Sequence, residues 1–150
     1  VNYKTGEIAD MSSITQKAHE KGILVIWDLS HSAGSIPVFL NDCSVDFAVG
    51  CGYKFLNGGP GAPAYLFVAK RHQEKINPIL SGWMGHEDPF SFVSRYSPAK
   101  GINRFLCGTP PLLGLIALEC GVDIIIKASL DVLRKKAMNM GSIFIKINCN

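Results

Sequence analysis

The chain has 150 residues, 47% of them hydrophobic and 18% charged, with a net charge of +3 from 15 basic and 12 acidic side chains. That balance describes a folded globular segment with room for a core, and its slight, scattered positive charge offers nucleic acid no footprint. No stretch reaches the ~20 uninterrupted apolar residues of a membrane span, because Glu119 and Asp123 break the most apolar one, and there is no heptad seam or solenoid repeat.

Asp10 is a helix cap in sequence, with the helix expected over residues 11–21 and stopped by Gly22. Residues 23–28 (ILVIWD) are continuously apolar until the aspartate, as in a strand buried on both faces. A loop (LSHSAGSIPVFLNDCS) leads to a second buried strand, VDFAVGCGY, and a glycine-rich turn, NGGPG, to a third over residues 64–70. The pattern predicts an α/β fold, a mainly parallel sheet covered by helices, with the last two strands antiparallel because their connection is short. Residues 70–107 are irregular and rich in Gly, Pro, Ser and aromatics, which marks a functional segment. Two helices follow, over residues 112–127 and 129–147; prolines are tolerated in a first helical turn.

The cysteines Cys43, Cys51, Cys107, Cys120 and Cys149 form no CxxC pair and no Cys/His cluster at zinc spacing. The expectation is therefore free thiols, a reducing compartment and no metal. His19, His72 and His86 make no ligand pair either, although His86, close to Trp83, could touch a substrate. Without a basic-then-apolar leader the chain reads as soluble and cytoplasmic. Opening on Val1 and ending in an amphipathic helix, it also reads as a piece of a longer protein.

Two polar residues fall at the carboxyl ends of predicted strands, where α/β sheets bind their ligands: Asp28 and Lys54. They are 26 residues apart (54 − 28), about one strand–connection–strand unit, so neighbouring strands would put carboxylate and amine in one crevice. Either they close a strand-end salt bridge, or they flank a cofactor whose aldehyde the lysine binds and whose ring nitrogen the carboxylate keeps protonated. The neighbours have equally plain alternatives. His31 could be a hydrogen-bonded loop histidine or an N-cap, and Tyr53 could finish the strand with its ring inside. Trp83 could anchor a loop, and Thr109 could cap the helix after Pro110. NGGPG is no phosphate loop of the GxxxxGK[ST] type, since no Lys-Ser/Thr follows; it turns the chain.

The words DLSHSAG (28–34), YKFLNGGPG (53–61), SGWMGH and FLCGTPP together resemble the fold-type-I pyridoxal-phosphate enzymes. Within them the resemblance is to the class V aminotransferase group, and inside that group to the kynureninase family. It runs along essentially the whole chain, and cysteine desulfurases carry a different, His-Lys lysine box. The resemblance implies pyridoxal 5'-phosphate as cofactor, with Lys54 as its covalent lysine and Asp28 as the partner of its ring nitrogen. It implies that His31 contacts the cofactor and that Tyr53 donates to the phosphate and relays protons. Trp83 and Thr109 match phosphate-site residues supplied at least partly by a dimer partner. It further implies hydrolysis of L-kynurenine or 3-hydroxykynurenine to anthranilate or 3-hydroxyanthranilate and L-alanine, a step of tryptophan catabolism and NAD biosynthesis. The expected domain division is 1–128 as part of the cofactor-binding large domain and 129–150 as the helix leading to a small domain. Neither Arg95 nor Arg104 matches the family's substrate-carboxylate arginine. The rival readings are another class V activity, desulfuration or transamination, and a non-catalytic dimerisation fragment.

Overall fold

The computed structural model describes residues 1–148, so Cys149 lies outside the described residues. Its centre is a three-stranded sheet in the order β1-β2-β3: β1 (Ile26–Asp28), β2 (Phe47–Cys51) and β3 (Ala64–Val68). β1 and β2 are parallel, with Ile26 beside Phe47 and Asp28 beside Val49. β2 and β3 are antiparallel, as the short connection predicts, with Gly50 opposite Tyr65.

Before the sheet, α1 (Met11–His19) begins where its cap predicts: Asp10 Oδ1 accepts from the Ser13 N–H at 3.0 Å. It ends at His19 rather than at residue 21, and Gly22, at a φ of 69°, turns the chain out. After the sheet come α2 (Lys70–Gln73), 3-10 turns at Trp83–Gly85 and Gly101–Phe105, then α3 (Leu112–Ala128) and α4 (Leu130–Asn148). Ser129, at a φ of 61°, separates the last two helices. None of the described helices is long and apolar enough to cross a membrane.

The first strand corrects the sequence reading. Only three residues of the apolar run pair, and Ile23, Leu24 and Ile26 are exposed. Burial on both faces was expected from the continuous run, but β1 alternates like any strand. The row Trp27–Ala48–Phe67 faces α1: Trp27 Nε1 donates to the buried Thr15 Oγ1 at 3.1 Å, and Ala48 is fully buried. The row Asp28–Val49–Leu66 points the other way, where Val49 and Leu66 stay exposed and nothing among the described residues covers them.

At the start of β2 the buried Asp46 collects donors from three directions. Its Oδ2 accepts from the Val25 N–H at 2.9 Å and lies 2.7 Å from His19 Nε2. Its Oδ1 accepts from Arg71 Nη2 at 2.6 Å and lies 2.7 Å from His72 Nε2. Burial alone would push this carboxyl up, but His19, His72, the Val25 N–H and Arg71 together pull it well below the ordinary carboxylate range. Thus two histidines with no pairing in sequence meet on one carboxylate. No metal-holding cluster of His, Cys, Asp and Glu occurs among the described residues.

Candidate active site

Asp28 is the last residue of β1, and Lys54 follows β2 in the tight turn that leads into NGGPG. Two glycines bring the surrounding loops together. Gly34, in the loop after β1, has a φ of 83°, and a Cβ there would run into the Phe55 carbonyl, so backbone meets backbone. Behind the lysine turn, α3 lies flush because Gly121 has no side chain; a Cβ there would sit 2.5 Å from the Leu56 carbonyl oxygen. The DLSHSAG loop and the YKFLN turn therefore pack directly against each other, with α3 against the turn.

Gly34→Ala is expected to cost about 1–3 kcal/mol, since it adds a left-handed non-glycine residue and a backbone collision at once. For a chain of this size that is a fall of roughly 2–12 °C in the thermal midpoint. An unchanged midpoint in a calorimetric scan would show that the two loops are not in contact.

The charge arrangement separates a closed Asp28–Lys54 salt bridge from an unpaired carboxylate and amine. Asp28 Oδ1 accepts from the Ser30 N–H at 2.8 Å. Its carboxyl is held below the ordinary range by the Ser30 hydroxyl first and the Ser30 N–H next; burial opposes them, and positive Lys54 and His31 add to the lowering. Asp28 is thus ionised at neutral pH and within the field of Lys54. Yet no ion pair joins the two among the described residues, and the Lys54 ammonium instead lies 5.5 Å from the centroid of the Tyr53 ring. The strand ends thus present an ionised carboxylate and an amine without a closed salt bridge between them.

The other sequence candidates divide. His31 stacks on Tyr3, ring centroids 6.0 Å apart, and meets Phe55 edge-on at 6.5 Å, which fixes it in the wall beside Asp28. Tyr53 is half exposed next to Lys54. Trp83 belongs to a different cluster: Gly82 packs its backbone on Cys107, and Trp83 meets Phe90 edge-to-face at 5.6 Å. Thr109 caps nothing, because the cap position of α3 is Pro111 and no side chain bonds the helix start. No hydrogen bond, ion pair or ring contact among the described residues ties Trp83 or Thr109 to Asp28 or Lys54. A cleft of about 440 Å³ opens beside Trp83, lined by His86, Asp88, Phe92 and Tyr96, and neither Asp28 nor Lys54 borders it. The paired strand ends, not this cleft, hold the complementary ionisable groups.

Sequence reasoning missed Ser30 and Phe55. Ser30, two residues after Asp28, carried a usable signal, since a serine there can bond the preceding carboxylate. Phe55 depends on loop packing, which no local pattern announces.

The Aminotransferase class-V family profile matches residues 1–145. The chain belongs to that family. It is 50% identical over 147 residues, 98% of its length, to the kynureninase of Deinococcus radiodurans, and 46% identical over the same span to that of Burkholderia mallei. It spans only 36% and 35% of those proteins. Among solved structures, the apo cysteine desulfurase from Thermococcus onnurineus superposes on 97% of the chain, with a TM-score of 0.78 at 24% identity, and the chain covers 36% of it. A C-DES mutant with glycine covalently linked to its PLP cofactor superposes on 95% of the chain, with a TM-score of 0.75 at 20% identity, and the chain covers 38% of it. These likenesses show the class-V chain to have the fold-type-I architecture predicted from sequence, a mixed sheet with helices.

Proposed function

We propose that this class-V chain is the cofactor-holding part of a kynureninase-like hydrolase, working as a piece of a longer protein. The observation that carries the reading is the open Asp28–Lys54 pair inside motifs that align with kynureninases at up to 50% identity. The residues fit pyridoxal 5'-phosphate: an ionised carboxylate for a protonated ring nitrogen, and an amine left unpaired for an aldehyde. When bound, that group supplies an electron sink conjugated to the substrate's amino group.

Lys54 would hold the cofactor covalently and would serve as the amine that takes and returns the substrate's Cα proton. Asp28 keeps the ring nitrogen protonated, and Ser30 fixes that carboxylate in place. His31, held between Tyr3 and Phe55, would contact the cofactor. Tyr53 donates its phenol proton to the phosphate and relays protons at the leaving carbon. Trp83 and Thr109 approach the phosphate of a second copy, so the working unit is a homodimer; neither nucleic acid nor a membrane is a partner. The overall reaction adds one water to L-kynurenine or 3-hydroxykynurenine, breaks the Cβ–Cγ bond, and releases the aminobenzoate and L-alanine. It belongs to the kynurenine pathway of tryptophan catabolism and, in the cytoplasm, to NAD biosynthesis.

The test is anthranilate fluorescence on adding L-kynurenine with saturating pyridoxal phosphate to the full-length protein. Desulfuration of cysteine or transamination without anthranilate would overturn the substrate assignment. The 150-residue chain alone is expected to be nearly inactive, since precise positioning supplies ~7–11 kcal/mol of barrier reduction and much of the cradle lies elsewhere. Turnover of the short chain at the full-length rate would contradict that. Asp28→Ala is expected to keep some cofactor and lose most turnover; parent-level turnover would remove Asp28 from its role.

A further inference from the structure

Arg104 lies in a segment of loops and turns, yet it is only 5% exposed. An arginine is seldom buried without partners, and here all three guanidinium nitrogens have one. Nε donates to the Ala99 carbonyl at 3.1 Å, Nη1 to the Ile76 carbonyl at 3.4 Å and Nη2 to Glu74 Oε2 at 2.5 Å. The other carboxylate oxygen, Glu74 Oε1, accepts from the Gly101 N–H at 2.6 Å. Glu74 and Ile76 stand just before the irregular residues 77–98, and Ale99 and Gly101 stand just after them. One ion pair thus closes the neck of a loop whose two ends are 23 residues apart (99 − 76). Above the neck the two arms hold each other. The Ala99 N–H donates to the Gly85 carbonyl at 2.8 Å, Tyr96 Oη donates to the same carbonyl at 2.9 Å, and the Glu87 N–H donates to the Ser97 carbonyl at 2.8 Å. The turn Trp83–Gly85 lies on the backbone of residues 104–106, where a Cβ on Gly85 would sit 2.8 Å from the Arg104 carbonyl oxygen. The place of Trp83 therefore depends on how residues 99–106 are held.

Stability alone does not account for the arrangement, because a well-packed apolar side chain is often as stabilising as a buried ion pair. An apolar residue could not reach two carbonyls and a carboxylate at once. Nor could a lysine, whose single ammonium lacks the planar fork. Neither Arg104 nor Glu74 borders the cleft beside Trp83, so neither would touch a molecule held there. We propose that Arg104, with Glu74, is a positioning residue: it clasps the neck of residues 77–98 and so holds Trp83 where the cofactor phosphate of a second copy needs it. The clasp stands on the hydrogen bonds of this chain; its effect on the cofactor rests on the pyridoxal-phosphate reading above.

The experiment compares the parent, Arg104→Lys, Glu74→Gln, Trp83→Ala and the Arg104→Lys/Trp83→Ala double variant of the full-length protein. Two quantities are read. One is the rate of chymotryptic cleavage after the exposed Phe90 and Phe92 in the cofactor-free protein, well below its thermal midpoint. The other is the dissociation constant for pyridoxal phosphate, by titration of its visible absorbance. Arg104→Lys is expected to weaken binding about tenfold, as when the clasped loop falls to about a tenth of the molecules, and to speed cleavage by at least as much. Glu74→Gln, at a mostly exposed position, should move both quantities the same way by about threefold, the worth of a weak hydrogen bond. In the Trp83→Ala background, Arg104→Lys should still speed cleavage but no longer weaken binding, because its effect on the cofactor passes through Trp83. Three results overturn the proposal: cleavage or binding by Arg104→Lys within about twofold of the parent, no change in either quantity for Glu74→Gln, or the full binding effect persisting without Trp83. If Arg104→Lys does not fold, Glu74→Gln decides alone. A parent that binds no pyridoxal phosphate would instead sink the cofactor reading, and the cleavage rates would still judge the clasp.

Discussion

Lys54→Ala in the full-length protein should abolish the visible absorbance that marks covalent attachment of the cofactor's aldehyde to a lysine amine. Turnover should fall by at least 10²–10⁴-fold, roughly what one positioned acid–base group supplies. Lys54→Arg should not rescue either property, because a guanidinium stays protonated at any working pH and can neither attack a carbonyl nor accept the Cα proton. The Arg variant keeps the positive charge near Asp28, so it separates the chemistry of the amine from simple electrostatic support of the crevice. Stopped-flow absorbance with kynurenine makes the comparison. A Lys54→Arg variant with parent-level turnover would mean that the lysine is only a cation at a strand end.

The second large effect concerns stability. Asp46→Ala removes the shared acceptor of His19, Arg71, His72 and the Val25 N–H in one step. Breaking a buried ion pair by deleting one partner costs about 3–5 kcal/mol; here His19 and Arg71 are partly solvated, so about 2–4 kcal/mol is expected. The pH dependence has a definite sign. The folded-state pKa of Asp46 is depressed, so its stabilisation is complete above the unfolded carboxylate value of about 3.9 and is lost as pH falls toward the folded value. In urea titrations the stability gap between parent and Asp46→Asn should therefore be constant near neutrality and narrow below about pH 4. A gap that widens in acid would place the dominant titration on another group.

How much of this was legible in the sequence depends on the range of the interaction. Asp10 capping α1, and the antiparallel pairing forced by a short connection, are local statements, and residues 10–13 and 47–68 carry them. The placement of Asp28 and Lys54 at neighbouring strand ends was legible because both residues close apolar runs at a one-unit spacing. Three features were not. The first strand was overread because hydrophobicity cannot distinguish a covered face from one that awaits its cover, as Ile26 and Leu66 show. The Thr109 cap failed because two prolines delay the start of α3 to Leu112. The hub on Asp46 joins residues 19, 25, 46, 71 and 72, separations at which no sequence period exists.

The bond from the Val25 N–H to Asp46 also bears on how the nascent chain avoids error. β1 offers only three paired residues, and a parallel ladder that short holds its register weakly. A slip of one residue would leave a sheet of the same composition while turning Asp28 to the face of α1. Such a molecule would pass a test of secondary structure and still be inert. Asp46 sits immediately before β2 and seizes the amide immediately before β1, so it acts as a stop that lets the two strands meet in one alignment. Loss of that carboxylate should accordingly show as a growing fraction of soluble, folded molecules that never take up cofactor, beyond the fraction that unfolds.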